Sequence, residues 1–279
     1  MRFFTIILML CYFTSAHSQK EIVLRLSHAL NDSSFKYNEN FEVDGNKNYY
    51  TRLQYYLSGF ELGHDGGQST ILNNVYVLAS GHISNYYLGN FNVSSLESIS
   101  FDVGVDQIAN SGNTTNYSSL HPLGPKSPPM DWGWPSGYFF VVTNGFTDAD
   151  NDNIPETNFQ LHALGNGMLT AIDPIYLSGT NLNDTIYIDL IVNTERFVSG
   201  IDLSTVGVDH SSSANNLIMC NNSSTMNIFE PGYIDLTSLN ENNVSSDYIF
   251  IDYTLPFAPT INYHFESNNK VNLLITDIN

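Results

Sequence analysis

Hydrophobic and polar residues alternate along much of this chain. Ile22, Leu24, Leu26 and His28 fall on one face of a period-two segment, as do Leu53, Tyr55 and Leu57, and then Ile99, Phe101, Val103 and Val105. Alternation of that period marks half-buried strands. Apolar runs at residues 75–79, 138–143, 159–163, 186–192, 248–252 and 271–276 predict further strands, separated by turn-rich loops. Asn and Ser are abundant and charged helix formers are rare, so long amphipathic helices are not expected. The pattern predicts an all-β fold, an antiparallel β-sandwich with long loops. Residues 211–247 read as polar loop, and the strands of 236–279 as a continuation of the domain spanning 19–235.

The N-terminus breaks the pattern. Arg2 precedes an uncharged apolar stretch from Phe3 to Phe13, and Ala16 and Ser18 occupy the small positions before a cut at Gln19. Residues 1–18 therefore read as a secretory signal peptide, which directs the chain to the periplasm, cell surface or medium. No later apolar stretch is long enough to span a bilayer. Removing the signal takes away Arg2 and Cys11, leaving 8 basic and 28 acidic side chains, a formal charge of −20, and Cys220 as the single cysteine. A chain this acidic is a poor partner for nucleic acid. With no internal disulfide available, its stability must come from the core, with metal ions as an additional source.

One stretch concentrates the acidity. Asp148, Asp150 and Asp152 alternate, and Glu156 follows four residues later. Carboxylates at alternate positions of a turning loop converge on one point, which suits a hard cation such as calcium, with the Ile154 carbonyl placed to join them. The spacing resembles the calcium loops of thrombospondin type 3 repeats. It departs from an EF-hand, since Asn153 stands where that motif has Gly. A solvated acidic hairpin tip is the simpler alternative, opposed by the mutual repulsion of three close charges.

The remaining unusual segment is Met130-Asp131-Trp132-Gly133-Trp134, followed by Ser136-Gly137-Tyr138, and it holds both tryptophans of the chain. Alternate Trp side chains in an extended segment commonly fill a core and its rim. Taken with Leu53-Gln54-Tyr55-Tyr56-Leu57-Ser58, with Phe101-Asp102-Val103-Gly104-Val105-Asp106, and with Phe159-Gln160-Leu161-His162, the motif resembles the MbnP-like family over about residues 21–230. These are exported copper-binding proteins first associated with methanobactin operons. The acidic loop and residues 123–129 are longer than the family pattern, and the region past 235 is not covered.

The resemblance implies copper held by histidines together with a kynurenine, formed when a partner di-haem enzyme oxidises a tryptophan. Carried over, Trp132 or Trp134 is the modified residue, and His28, His162 and Met130 are the companion ligands. Imidazole and thioether suit copper, whereas an intact indole is a poor ligand. His28 continues the buried face of its strand and needs a hydrogen bond or a metal; His162 lies opposite Phe159 and Leu161, on a face that is either solvent or a second buried layer. For each histidine alone, a satisfied structural role is the simpler reading. His64, His82, His121, His210 and His264 carry no spacing signal, and Met219, Cys220 and Met226 read as packing.

Three functions compete. The resemblance favours an exported copper-binding protein for uptake, storage or delivery, without turnover. The alternative is a calcium-stabilised secreted surface module that binds glycans or partner proteins through exposed Tyr and Asn. An enzyme is the weakest, because no nucleophile elbow, zinc-protease helix or phosphate loop is present, and Asp102 and Asp106 carry no supporting spacing.

Overall fold

The computed structural model describes residues 19–31, 33–81, 85–133, 135–177, 181–182, 184–232, 261–265 and 271–275. The expected signal peptide, Trp134, His82 and the strand expected at 248–252 lie outside the described residues. Two larger sheets, of six and nine strands, pack face to face as a sandwich. The period-two segments are strands, and their apolar faces meet. Ile22, Leu24 and Leu26 of Lys20–Leu30 pair directly with Ile186, Ile188 and Leu190 of Thr185–Asn193, and all are buried. Across the interface lie Leu53, Tyr55 and Leu57 of the long strand Asn46–His64, with Phe101 and Val103 of Leu96–Val103. Rings close the gap: Tyr55 meets Phe197 and Phe229 at 5.4 and 6.0 Å, and Phe101 meets Phe229 edge-on at 5.1 Å.

Among the described residues most pairings are antiparallel, as expected, but two are parallel. Lys20–Leu30 runs parallel to Thr185–Asn193, and Thr157–Leu164 runs parallel to the short strand Val208–Asp209. Parallel neighbours need long crossovers, which local alternation does not reveal. The expected loop at 211–247 contains a helix, Ala214–Thr225. Its sequence is rich in Asn, Ser and Thr, which are weak helix formers. It is held instead by the Ser213 cap, whose Oγ accepts from Asn216 N, and by burial of Met219 and Cys220. Thr143 Oγ1 donates to Met219 Sδ at 3.4 Å, and burial pushes the Cys220 thiol up to about 12. Both residues pack, as their sequence context suggested. The described strands Ile261–Phe265 and Val271–Ile275 pair with each other in a separate two-stranded sheet.

The outer face of the nine-stranded sheet carries a second buried layer. Tyr56, Phe140 and Val142 are fully buried there beneath the chain that follows Val103. Asp106 starts this cover by capping the short helix Gln107–Asn110, its Oδ1 accepting from Ile108 N and Ala109 N. Tyr56 Oη then donates to Pro122 O at 3.1 Å, and Tyr138 Oη to Leu123 O at 2.7 Å, so two phenols pin the returning loop. That loop delivers the tryptophan motif.

Candidate metal centre

Directly paired residues on neighbouring strands share a face. Tyr55, Val141 and Ala163 form one row, turned towards the sandwich interior; Gln54, Val142 and His162 form the adjacent row on the outer face. His162 therefore belongs to the second layer, where it is 5% exposed. Its Nε2 lies 2.7 Å from Asn144 Oδ1, an acceptor, so Nε2 carries the ring proton and Nδ1 keeps its lone pair.

Val208–Asp209 pairs with Gln160 and Leu161, which brings the next residue, His210, level with His162. The two imidazoles stack with centroids 3.9 Å apart and planes 2° from parallel. A polar network fixes the turn behind His210. The Asp209 carboxylate accepts from Ser211 Oγ and Ser213 Oγ, while Asn216 Nδ2 donates to Asp209 O and Ser211 O. His162 Nδ1 and His210 Nε2 are both buried, and neither has a hydrogen-bond partner among the described residues. Burial, then the neighbouring ring, then Arg52 push His162 down to about 3; burial also lowers His210, against the opposing effect of Asp209. At neutral pH both rings are neutral, and the lone pair of His162 lies at Nδ1.

The tryptophan motif forms a tight hairpin beside this pair. Trp132 N donates to Gly137 O, Phe139 N donates to Met130 O, and Ser136 N closes the turn on Gly133 O. Gly137 sits at φ +84, with Asn110 Oδ1 occupying the space a Cβ would need; the same oxygen accepts from Tyr138 N. Trp132, 56% exposed, meets His210 edge-on at 5.2 Å and Phe139 at 5.8 Å, and Phe139 in turn meets His162 at 4.9 Å. Trp132 thus presents an accessible indole at the mouth of the histidine pair.

Of the residues singled out in the sequence, His162 and Trp132 are brought together, joined by His210. His28 is not with them. It lies in the sandwich interior, 8% exposed, with Nε2 2.8 Å from Tyr55 Oη and Phe35 alongside. The nine-stranded sheet stands between His28 and His162, so the two cannot share one ion. Met130 is buried, but its Sδ accepts from Arg52 Nη2 at 3.1 Å, which engages one of its two lone pairs and sets a guanidinium charge against the sulfur. His210 was missed because its placement depends on a two-residue parallel pairing with no trace in local spacing.

The acidic loop links two antiparallel strands, Phe139–Thr147 and Thr157–Leu164. One carboxylate oxygen from each of Asp148, Asp150, Asp152 and Glu156 lies within 4.8 Å of the others. Left-handed Asn151 and Asn153 give the loop its curl, and the aspartates accept from Asp152 N, Asn153 N and Ile154 N. The cluster is one that can hold a metal ion. Ile154 is exposed at its edge.

A groove of about 600 Å³ lies elsewhere, between residues 71–76 and 106–121. His121 is there, stacked on Tyr117 at 4.5 Å with its Nδ1 accepting from Leu123 N. No buried polar side-chain atom lining it is left without a partner. Buried ring nitrogens without a partner among the described residues lie instead at the histidine pair.

No helix among the described residues is long and apolar enough to cross a membrane. No curated protein matches the chain. A solved structure, MbnP from Methylosinus trichosporium, is similar over 71% of this chain and 82% of that one, at 14% identity and a TM-score of 0.44. The model of the MbnP family matches residues 19–227 of the 279, well over half the chain, and the protein is therefore a member of the MbnP family.

Proposed function

We propose that this chain is an exported copper-binding protein that takes up, stores or delivers the ion without turning over a substrate, and that His162 and His210 hold the metal. The observation that carries the reading is the pair of orphaned ring nitrogens, His162 Nδ1 and His210 Nε2. Leaving a buried polar atom unpaired costs on the order of 1–3 kcal/mol, and two on neighbouring rings call for an explanation. A metal ion supplies it once one ring turns out of the parallel stack, because the in-plane lone pairs of stacked rings do not meet. Neutral imidazoles with no carboxylate in contact suit copper better than a hard cation. The rings need not lose a proton to bind, since both are held neutral.

Trp132 is the residue proposed for conversion to kynurenine, because it is exposed to a partner enzyme and adjacent to His210. In that oxidation a peroxide-class oxidant delivers two oxygen atoms across the cleaved indole C2–C3 bond and is reduced to water; hydrolysis then releases formate and frees an aromatic amine. A di-haem enzyme is the proposed partner. Met130 is left out of the proposed ligand set, because the Arg52 guanidinium charge stands against its sulfur. His28 is read as a structural residue.

The test is copper titration of protein purified from its own host, with mass spectrometry of the peptide bearing Trp132 and Trp134. Kynurenine adds about 4 Da. Copper binding lost in His162→Ala and His210→Ala, and kept in His28→Gln, supports the assignment; unchanged binding in both alanine variants refutes it. At the acidic loop we propose a structural calcium, supported by the convergence of Asp148, Asp150, Asp152 and Glu156. Export through the signal peptide of residues 1–18 accords with both metals.

A further inference from the structure

Every arginine in the described chain has a carboxylate partner except one. Arg25 pairs with Asp189, and Arg196 with Glu195 and Glu230. Arg52 has no ion pair among the described residues, although the sequence has 28 acidic side chains against 9 basic ones. Its bonds go instead to neutral groups of the second layer. Nε donates to Gln54 Oε1 at 2.7 Å, and Nη2 donates to Pro129 O at 2.8 Å, to Pro128 O at 3.5 Å and to Met130 Sδ at 3.1 Å.

The acceptors belong to the two halves of the candidate centre. Gln54 lies on the same strand as Arg52 and shares the outer-face row with Val142 and His162. Arg52 itself pairs directly with Asn144, the residue whose Oδ1 orients His162. Pro128, Pro129 and Met130 form the chain that enters the Trp132 hairpin. One planar guanidinium therefore spans from the sheet that holds His162 to the loop that holds Trp132.

We infer that Arg52 is a positioning residue for the metal centre, its fork clamping the Pro128–Met130 chain onto the strand beside Asn144 so that Trp132 stands against the His162–His210 pair. The inference rests on the copper reading only in its affinity arm; the metal-free arrangement can be read independently. A fork that sets geometry cannot be replaced by a point charge. Lys in its place keeps the charge and loses the simultaneous grip on Gln54 and Pro129.

The test compares Arg52→Lys and Arg52→Gln with wild type as full mature chains. In metal-free protein produced without the oxidising partner, the indole N–H resonance of Trp132, isolated in a Trp134→Phe background, and the imidazole resonances of His162 and His210 should shift in both variants. In protein from the native host, copper affinity measured against a chromophoric chelator should fall by about tenfold or more, the usual effect of losing an outer-shell partner. Unshifted resonances with undiminished affinity overturn the inference, and so does full recovery by Arg52→Lys, which would assign the role to charge alone. If an Arg52 variant fails to fold by circular dichroism, Gln54→Ala carries the test, because it removes only the acceptor that sets the fork. A shifted indole resonance then supports the inference and an unshifted one overturns it. Absence of copper affinity in the wild type overturns the copper reading and leaves the metal-free resonances to decide on Arg52.

Discussion

Protonation of His162 is a direct test of the second buried layer. Its Nε2–H is committed to Asn144 Oδ1, so an added proton must go to Nδ1, which is buried and has no partner among the described residues to accept from it. The charge would arise out of water, against the face of His210 and in the field of Arg52, and these causes, burial first, hold the folded-state value at about 3. In the unfolded chain the same ring titrates near the ordinary histidine value of about 6.5. The unfolded state therefore takes the proton first. The stability contributed by the neutral ring is complete above the unfolded value and is lost as the pH falls towards the folded one. Integrating the linkage from about pH 7.5 to about pH 5 gives a loss of about 2 kcal/mol from this residue, a large share of a typical domain's stability. Denaturant unfolding of metal-free protein at the two pH values, for wild type and for His162→Gln, isolates the term, since the carboxylates contribute alike to both. Wild type should lose about 2 kcal/mol more than the variant. Equal acid destabilisation of the two proteins would refute both the buried, partnerless Nδ1 and its neutral state.

Other consequences follow from single positions. Gly137→Ala places a side chain at φ +84 and into Asn110 Oδ1, so it should cost about 1–3 kcal/mol in chemical denaturation and move the Trp132 indole resonance. Calcium should raise the melting temperature of the mature chain, with a stabilisation of about 2.7 kcal/mol at a hundredfold excess over its dissociation constant; Asp150→Asn combined with Asp152→Asn should abolish the shift. Cys220 should resist thiol reagents in the folded protein at neutral pH and react fully in denaturant, because its thiol is buried and pushed up to about 12. Fast labelling of native protein would contradict the packing of helix Ala214–Thr225. Asn216→Ala removes two of the four bonds that fix the turn behind His210, and should weaken copper binding by about tenfold while leaving the His28–Tyr55 contact intact.

What could be read from the sequence was whatever the backbone writes locally. Alternation through Ile22, Leu24 and Leu26, and through Leu53, Tyr55 and Leu57, identified the inward faces of both sheets. The same rule put His162 on the face away from Phe159 and Leu161. It could not say what covers that face. The cover is chain returned by the bonds of Tyr56 to Pro122 and Tyr138 to Leu123, and neither pairing leaves a periodic mark. His210 was hidden for the same reason, since it comes level with His162 only through a short parallel pairing. Met130 shows the complementary limit. Its thioether is a chemically suitable copper ligand on sequence grounds, yet a donor's availability is set by its neighbours, and here the Arg52 guanidinium already uses the sulfur. The converse holds at the histidines, where the two nitrogens that matter are those that nothing else in the described chain engages. Residue type marks which atoms can bind a metal, but only packing decides which of them are left to do so.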